Sequence, residues 1–447
     1  MHFRICALVL AFLGAAARPQ EPEPRWPQFR GPGSRGVAEA ATFPDRWSAT
    51  ENVEWKAELP GRGWSSPIAW GQRIFLTTVV SRGELEAPKK GLYFGGDRAQ
   101  PPKAEQEWWA VCLDLATGKP LWKQKVHEGE SKGSIHIKNS FASETPVTDG
   151  ERVYFSFGNV GLFVFDLEGK EVWSKRFEAQ RTRYGWGPAA SPVLHGDRIY
   201  LVNDNEEKSW LLALEKRSGR EVWRVERDEK SNWATPYVWE NGKRSEIITP
   251  GTGKLRSYDL DGKLLWWLAG MSGITIATPF AEGDLLYVSS GYVGSPLRPI
   301  YALKPGGDGD LSLAKDATSS AFVAWCDWRA APYNPSTLLY QGRLTVLLDR
   351  GALSAYDAKT GKPLFEREKI PDGRGFTASP WAAQGKIYAL NEDGVTFVFK
   401  AGDAFELLHS NRLADDDMGM ATPAIAGDRL LLRTSSRLYC IRAAAKK

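Results

Sequence analysis

A phrase recurs along this chain, mostly every 43 to 46 residues. It runs Ser/Thr-Pro, a short apolar strand, a Gly turn, a β-rich run, Asp-x-x-Thr-Gly-Lys, then Trp. Its opening prolines are Pro67, Pro146, Pro192, Pro236, Pro279, Pro335, Pro380 and Pro423, spaced by 79, 46, 44, 43, 56, 45 and 43 residues. A period near 44 built of strands and turns defines propeller blades, each too small to bury its own apolar face.

Residues 190–224 show the unit plainly. Ala190 to Leu194 reads as strand a, Arg198 to Val202 as b, Trp210 to Leu214 as c and Arg220 to Arg224 as d. Each run is short, rich in β-branched, Leu and aromatic residues, and bounded by turn formers. No comparable window carries a 3.6-residue apolar period, so helix should be scarce. At the c–d turns Asp114, Asp166, Asp259 and Asp357 can accept from turn amides, and the following Gly can take positive φ. Four residues after each Gly stands an aromatic: Trp122, Trp173, Trp223, Trp266 and Phe365. One large side chain per blade at a fixed place suits a wedge between neighbours. The four Trp residues are therefore expected to be largely buried at blade interfaces.

Eight Pro-led units are present, and the last ends at strand c, Leu438 to Ile441. The missing strand lies at the other end. Asn52 to Lys56 reads like Glu171 to Lys175 and precedes the first unit. The expected architecture is all-β: an eight-bladed propeller of four-stranded blades, its ring closed by an N-terminal strand that leaves no long open edge. The bounds are 1–17 for a signal peptide, 18–51 for an N-terminal leader, 52–442 for the propeller and 443–447 for a tail.

Asp114, Thr117, Gly118 and Trp122, and again Asp357, Thr360 and Gly361, resemble the quinoprotein-type or PQQ-like propeller repeat. Trp26-Pro27-Gln28-Phe29-Arg30-Gly31-Pro32-Gly33 resembles a subgroup of secreted bacterial propellers. The resemblance spans about residues 52–442. It implies either a periplasmic alcohol dehydrogenase using pyrroloquinoline quinone (PQQ) and Ca²⁺, or a non-catalytic propeller like the lipoprotein of the outer-membrane β-barrel assembly machine. The dehydrogenases pair adjacent cysteines and an acidic calcium cluster with the quinone. Here no two cysteines are neighbours and no Cys-x-x-Cys-His haem site exists. No catalytic motif such as Gly-x-Ser-x-Gly or His-Glu-x-x-His appears. The expectation is thus no cofactor, with PQQ and Ca²⁺ as the alternative.

Lys and Arg exceed Asp and Glu by only 4, and no basic run exceeds two residues, as at Lys89-Lys90 and Lys446-Lys447. Nucleic acid and anionic membrane surfaces are poor partners for such a chain. His2 and Arg4, the apolar stretch Ile5 to Leu13 and Ala15-Ala16-Ala17 read as a cleaved export signal, too short to span a bilayer. Export to the periplasm or cell exterior is expected, with no transmembrane segment after cleavage, and Pro19 to Pro24 as a flexible leader. Cys112, Cys326 and Cys440 read as buried apolar residues rather than a disulfide framework.

The a–b and c–d turns share one face, and the b–c and d–a loops share the other. The expansions Val80 to Gln106, Ser290 to Arg298 and Ala317 to Asn334 are placed on the second face, where insertions mark binding. Its d–a loops carry Trp64, Phe141, Trp186, Trp233, Tyr333 and Phe376 to the channel mouth, with His136, Asn139, Arg183, Asn334, Arg374 and Asp417. An aromatic mouth with a few polar groups suits a planar or sugar-like ligand. The expected protein is a monomeric, non-catalytic binding or scaffold propeller taking a protein partner or small ligand on this face; the alternatives are a quinoprotein oxidoreductase or a glycan binder.

Overall fold

A computed structural model of the protein describes residues 24–413 and 417–444; the signal segment, residues 18–23, Asp415 and Asp416 fall outside the described residues. Eight sheets follow one another around a ring. In blade three the strands are Val193–His195, Arg198–Asn203, Ser209–Glu215 and Glu221–Arg227, paired antiparallel in chain order. The c strands are buried almost end to end because neighbouring blades cover both faces. The d strands alternate, as in Glu171–Arg176, because their outer edge is wet. Among the described residues helix is confined to two 3₁₀ turns, Pro32–Ser34 and Arg183–Gly185. Val53–Glu58 pairs with Arg437–Ile441, setting Trp55 opposite Cys440 and closing the ring as expected.

The wedge works through a contact between blades. A Cβ on Gly118 would lie 2.4 Å from the Trp55 ring, on Gly169 2.7 Å from Trp122, and on Gly219 2.5 Å from Trp173. Each indole thus lies on the next blade's turn, where only Gly leaves room. Its N–H donates to the carbonyl just past the turn's acidic residue: Trp55 to Leu115 at 3.0 Å, Trp122 to Leu167 at 3.0 Å, Trp173 to Lys216 at 3.1 Å and Trp223 to Leu260 at 2.9 Å. Trp122, Trp173 and Trp223 are half-buried rather than largely buried, because the ring edge faces outward. Trp223→Ala is expected to cost about 3 kcal/mol, the low end for Trp truncation, since one edge is already hydrated. A urea midpoint equal to that of the parent protein would remove the wedge role.

Trp266 differs for a structural reason. Blade five's fourth strand is Val323–Asp327, inside the stretch read from sequence as a d–a link. Residues 304–322 are therefore a c–d insertion on the face otherwise made of compact turns. Its Gly309–Asp310 pairs parallel with Leu264–Ala269 of blade four, covering the outer edge and leaving Trp266 2% exposed. Blade five's wedge is Trp325, which docks on Gly361 and donates to the Ala358 carbonyl at 2.9 Å. In blade six strand a is Leu338–Tyr340, so Ser336-Thr337 occupies the Ser/Thr-Pro position and Pro335 stands two residues early.

The described part of the leader begins at Pro24. Arg25 and Trp26 pair with Trp70 and Ala69, at the turn end of blade one's inner strand. Thr148 N–H donates to Pro27 O at 2.9 Å, and Ala38 N–H to Ala382 O at 3.0 Å. Phe43 and Trp47 pack on Tyr388, with ring centroids 5.5 and 6.4 Å apart, and Tyr388 stacks on Trp381. This segment crosses the inner strands and closes the channel on the a–b turn side.

Candidate functional site

With one end plugged, the channel is a blind cavity of about 240 Å³ opening toward the b–c and d–a loops. Its waist is the residue before each strand-a proline, or the equivalent position in blade six: Ser66, Thr145, Ser191, Thr235, Thr278, Ser336, Ser379 and Thr422 all line it. These hydroxyls knit the blades together. Ser66 N–H donates to Thr145 Oγ1 at 3.0 Å, Thr145 N–H to Ser191 Oγ at 2.9 Å and Ser191 N–H to Thr235 Oγ1 at 3.1 Å. The pattern resumes from Thr278 to Ser336 at 3.0 Å, Ser336 to Ser379 at 2.9 Å and Ser379 to Thr422 at 3.0 Å. A hydroxyl that accepts an amide keeps its own proton to donate inward. Phe29 of the leader also lines the cavity, reaching it from the plugged end.

The walls are aromatic. Trp64, Trp186, Trp233 and Tyr333 line the cavity and are each 7–8% exposed. Their indole N–H groups are spent on backbone carbonyls: Trp64 on Lys138 at 2.7 Å, Trp186 on Gly96 at 3.0 Å and Trp233 on Gly187 at 2.5 Å. The three indoles therefore offer ring surface, not donors. The blade-one insertion roofs part of the mouth with Gly91, Leu92 and Tyr93. Two distant segments tie it down. Lys138 Nζ donates to Gly91 O at 2.8 Å and to Glu392 Oε1 at 2.5 Å, while Gly91 N–H donates to Glu392 Oε2 at 2.6 Å. Lys90 adds an ion pair to Asp393 at 2.8 Å.

His136 lies between the roof and the wall, its ring 5.6 Å from Tyr93 and 4.9 Å from Trp186. Its Nδ1 accepts the Lys138 N–H at 3.0 Å, so the proton of the neutral ring sits on Nε2. Burial first, then the charges of Lys138 and Arg98, push its pKa down to about 4. The ring is neutral at pH 7 and orders the loop. Asn139 donates to Trp186 O at 2.8 Å and accepts from Ser143 Oγ at 2.6 Å. Asn334 Nδ2 is held by Asp349 at 2.5 Å, which leaves Oδ1 as the acceptor for a ligand.

Trp64, His136, Asn139, Trp186, Trp233, Tyr333 and Asn334 thus meet in one cavity. Other residues named from sequence do not join it. Arg183 turns away to Gly273 O at 2.7 Å and lines a neighbouring cleft. Arg374 is 82% exposed and pairs loosely with Asp393 at 3.6 Å. Asp417 accepts from Thr434 Oγ1 at 2.5 Å and from Ser435 and Ser436, so it caps the 434–436 turn. Phe376 belongs to an interblade core, and Phe141 lines a separate pocket. Sequence reading missed the hydroxyl ring, Lys138 and Tyr93. The hydroxyls were visible in the Ser/Thr-Pro phrase; the Lys138–Glu392 pair joins residues 254 apart and left no local sign.

Lys138 is the one Lys, Arg, Asp or Glu among the described cavity-lining residues. A quinone-bound Ca²⁺ needs several oxygen ligands, carboxylates foremost. Hydroxyls already engaged by amides and a lysine are a poor set for it, so the residues present do not fit a calcium-held quinone.

Repeat, closure and channel together define a β-propeller built of PQQ-like repeats. A family model described as outer membrane protein assembly factor BamB matches residues 207–304 and 323–445. The crystal structure of BamB from Moraxella catarrhalis is similar with a TM-score of 0.54 and 12% identity, covering 82% of this chain and 98% of that one. Quinohemoprotein alcohol dehydrogenase from Comamonas testosteroni gives a TM-score of 0.59 and 12% identity over 95% of this chain and 81% of its own. Quinohemoprotein alcohol dehydrogenase ADHIIG from Pseudomonas putida HK5 gives 0.57 and 12% over the same shares. At such identities the likeness is one of fold. No curated protein sequence matches the chain.

Proposed function

We propose that this propeller is a non-catalytic binding protein that works through the face carrying the b–c and d–a loops. The observation that carries the reading is the one-ended channel: plugged by the leader, walled by aromatics, ringed by hydroxyls and roofed by the blade-one insertion. Ring surface with inward hydroxyl donors suits a small planar or sugar-like ligand. Trp186→Ala and Trp233→Ala should each weaken such a ligand by about 2 kcal/mol or more, the range of buried aromatic anchors. Lys216→Ala, at a c–d turn, should not. Calorimetric titration of a glycan and heteroaromatic library compares them; binding lost only through the turn substitution would place the site on the other face. Stoichiometric quinone uptake with calcium-dependent alcohol oxidation would replace the reading by the enzyme.

A second reading, protein docking on the same face, is favoured by its exposed apolar side chains. Phe94 is 61% exposed, Val293 49%, and Tyr184 and Leu297 38% each. Tandem loops presenting such side chains suit a macromolecular partner. Export completes the proposal. It is supported by the charged start, apolar stretch and small-residue site of residues 1–17, and the described residues hold no helix long and apolar enough to cross a membrane. The N-terminus of exported protein is expected at Arg18; intact Met1 in a cytoplasmic fraction would overturn it.

A further inference from the structure

Two residues before each strand-a proline, or its blade-six equivalent Thr337, the repeat places Ser65, Ala190, Ala234, Ala277, Pro335, Ala378 and Ala421. Blade two alone places a carboxylate there, Glu144. It is 2% exposed, and no ion pair reaches it among the described residues. Its carboxylate accepts from Gly158 N–H, to Oε1 at 2.9 Å, and from the backbone amides of Ser143 and Glu144 itself. Gly158 has no space for a side chain: a Cβ would fall 2.4 Å from Pro188 and 2.7 Å from Glu144 Oε1. An unpaired carboxylate at this depth costs folding free energy that alanine would avoid. The repeat therefore gives no structural reason for it.

Glu144 lies in a pocket of about 310 Å³ at the junction of blades one and two, separate from the channel. Trp108, Phe141, Phe157 and Phe177 form the apolar part of the lining. Four titratable groups share it. The His127 ring lies tilted against Trp108 with centroids 4.9 Å apart, and burial, with Arg176 and Lys132 nearby, lowers its pKa. Glu130, Lys132 and Arg176 are exposed. Arg176 is held by Val126 O at 3.0 Å and lies over the Phe163 ring at 4.6 Å. The rim groups leave one net positive charge, which lies exposed and is screened by water and salt. The deep charge is Glu144, in a low dielectric with aromatic faces beside it, an arrangement that favours a cation.

We propose that this pocket is a second binding site, taking the primary ammonium end of an alkyl chain, such as a lysine side chain or a small alkylamine. The ammonium pairs with Glu144 and its chain lies along the aromatic wall. Burial raises the Glu144 pKa to about 7. Binding therefore strengthens as pH rises through neutrality, and the ion pair extends ionisation to lower pH. The pocket is distinct from the channel, so either reading can fail while the other stands.

The test titrates the full chain at pH 8 with n-butylammonium and with 1-butanol, its uncharged counterpart, followed by NMR. The expected result is at least tenfold tighter binding of butylammonium. Glu144→Gln should abolish that preference, and Trp233→Ala, in the channel, should preserve it. Glu144→Ala restores the repeat's usual residue and serves as the second variant if Gln disturbs folding. Equal binding of both probes, or a preference that survives Glu144→Gln and Glu144→Ala, overturns the proposal. So does a preference lost through Trp233→Ala alone, which would place the amine in the channel.

Discussion

Asp204→Ala is expected to lower stability by about 3–5 kcal/mol, the effect of removing one partner of a buried ion pair. Asp204 and Arg227 have side chains with no solvent exposure. The guanidinium makes two parallel bonds to the carboxylate, Nε to Oδ1 at 2.8 Å and Nη2 to Oδ2 at 3.0 Å. Its Nη1 donates to Thr249 Oγ1 at 2.8 Å and Tyr258 Oη at 3.0 Å, so every polar group of the cluster depends on the pair. The other carboxylate in reach, Glu229 at 4.0 Å from Arg227 Nη2, is already engaged by Arg256 and replaces Asp204 only in part. Alanine at 204 leaves a desolvated cation between blades three and four. The double change Asp204→Leu with Arg227→Met removes both charges and should recover most of the loss. Guanidinium melts of the three proteins check this; a single variant as stable as the parent would show that the cation finds water.

Trimming the plug should have an effect of similar size. Phe43 and Trp47 are 1% and 3% exposed, and both rest on Tyr388. Phe43→Ala and Trp47→Ala are each expected to cost about 3–5 kcal/mol. They share a partner, so the double variant should fall short of the sum. The leader would also become the first segment to open, and limited proteolysis should cut it between residues 24 and 51 before any blade. Additive losses with the leader still resistant would mean that the two rings do not form one stack with Tyr388.

The relation between pattern and structure is clearest where it slipped. Pro335 took the place of the blade-six signal because Thr337 holds the position that proline holds elsewhere, and a proline two residues away looks the same in a list of spacings. Trp325 escaped notice because the 304–322 insertion removed the Asp-turn that announces it. What identifies Trp325 is Gly361 of the next blade, which only the assembled ring brings beneath the indole. At the cavity the aromatics before each strand a were legible, since each stands two to six residues ahead of its blade's opening proline. Arg183, Arg374 and Asp417 share that offset region but turn to Gly273, Asp393 and the 434–436 turn, because backbone placement does not decide where a long or polar side chain finds its partner.

By itself the sequence determined the blade. Ser/Thr-Pro, the Asp-x-x-Thr-Gly turn and the tryptophan four residues on are local devices, acting through φ/ψ preference, turn hydrogen bonds and side-chain size. Eight strand-a signals with a spare strand at the start leave little choice but a closed ring. Only the tertiary structure decided that the channel is blind, that a lysine of blade two and a glutamate of blade seven clamp a loop of blade one, and that Glu144 has no countercharge. Those are relations between residues far apart in the chain. Charge pairing and burial depend on what the ring brings together, and no local period records it.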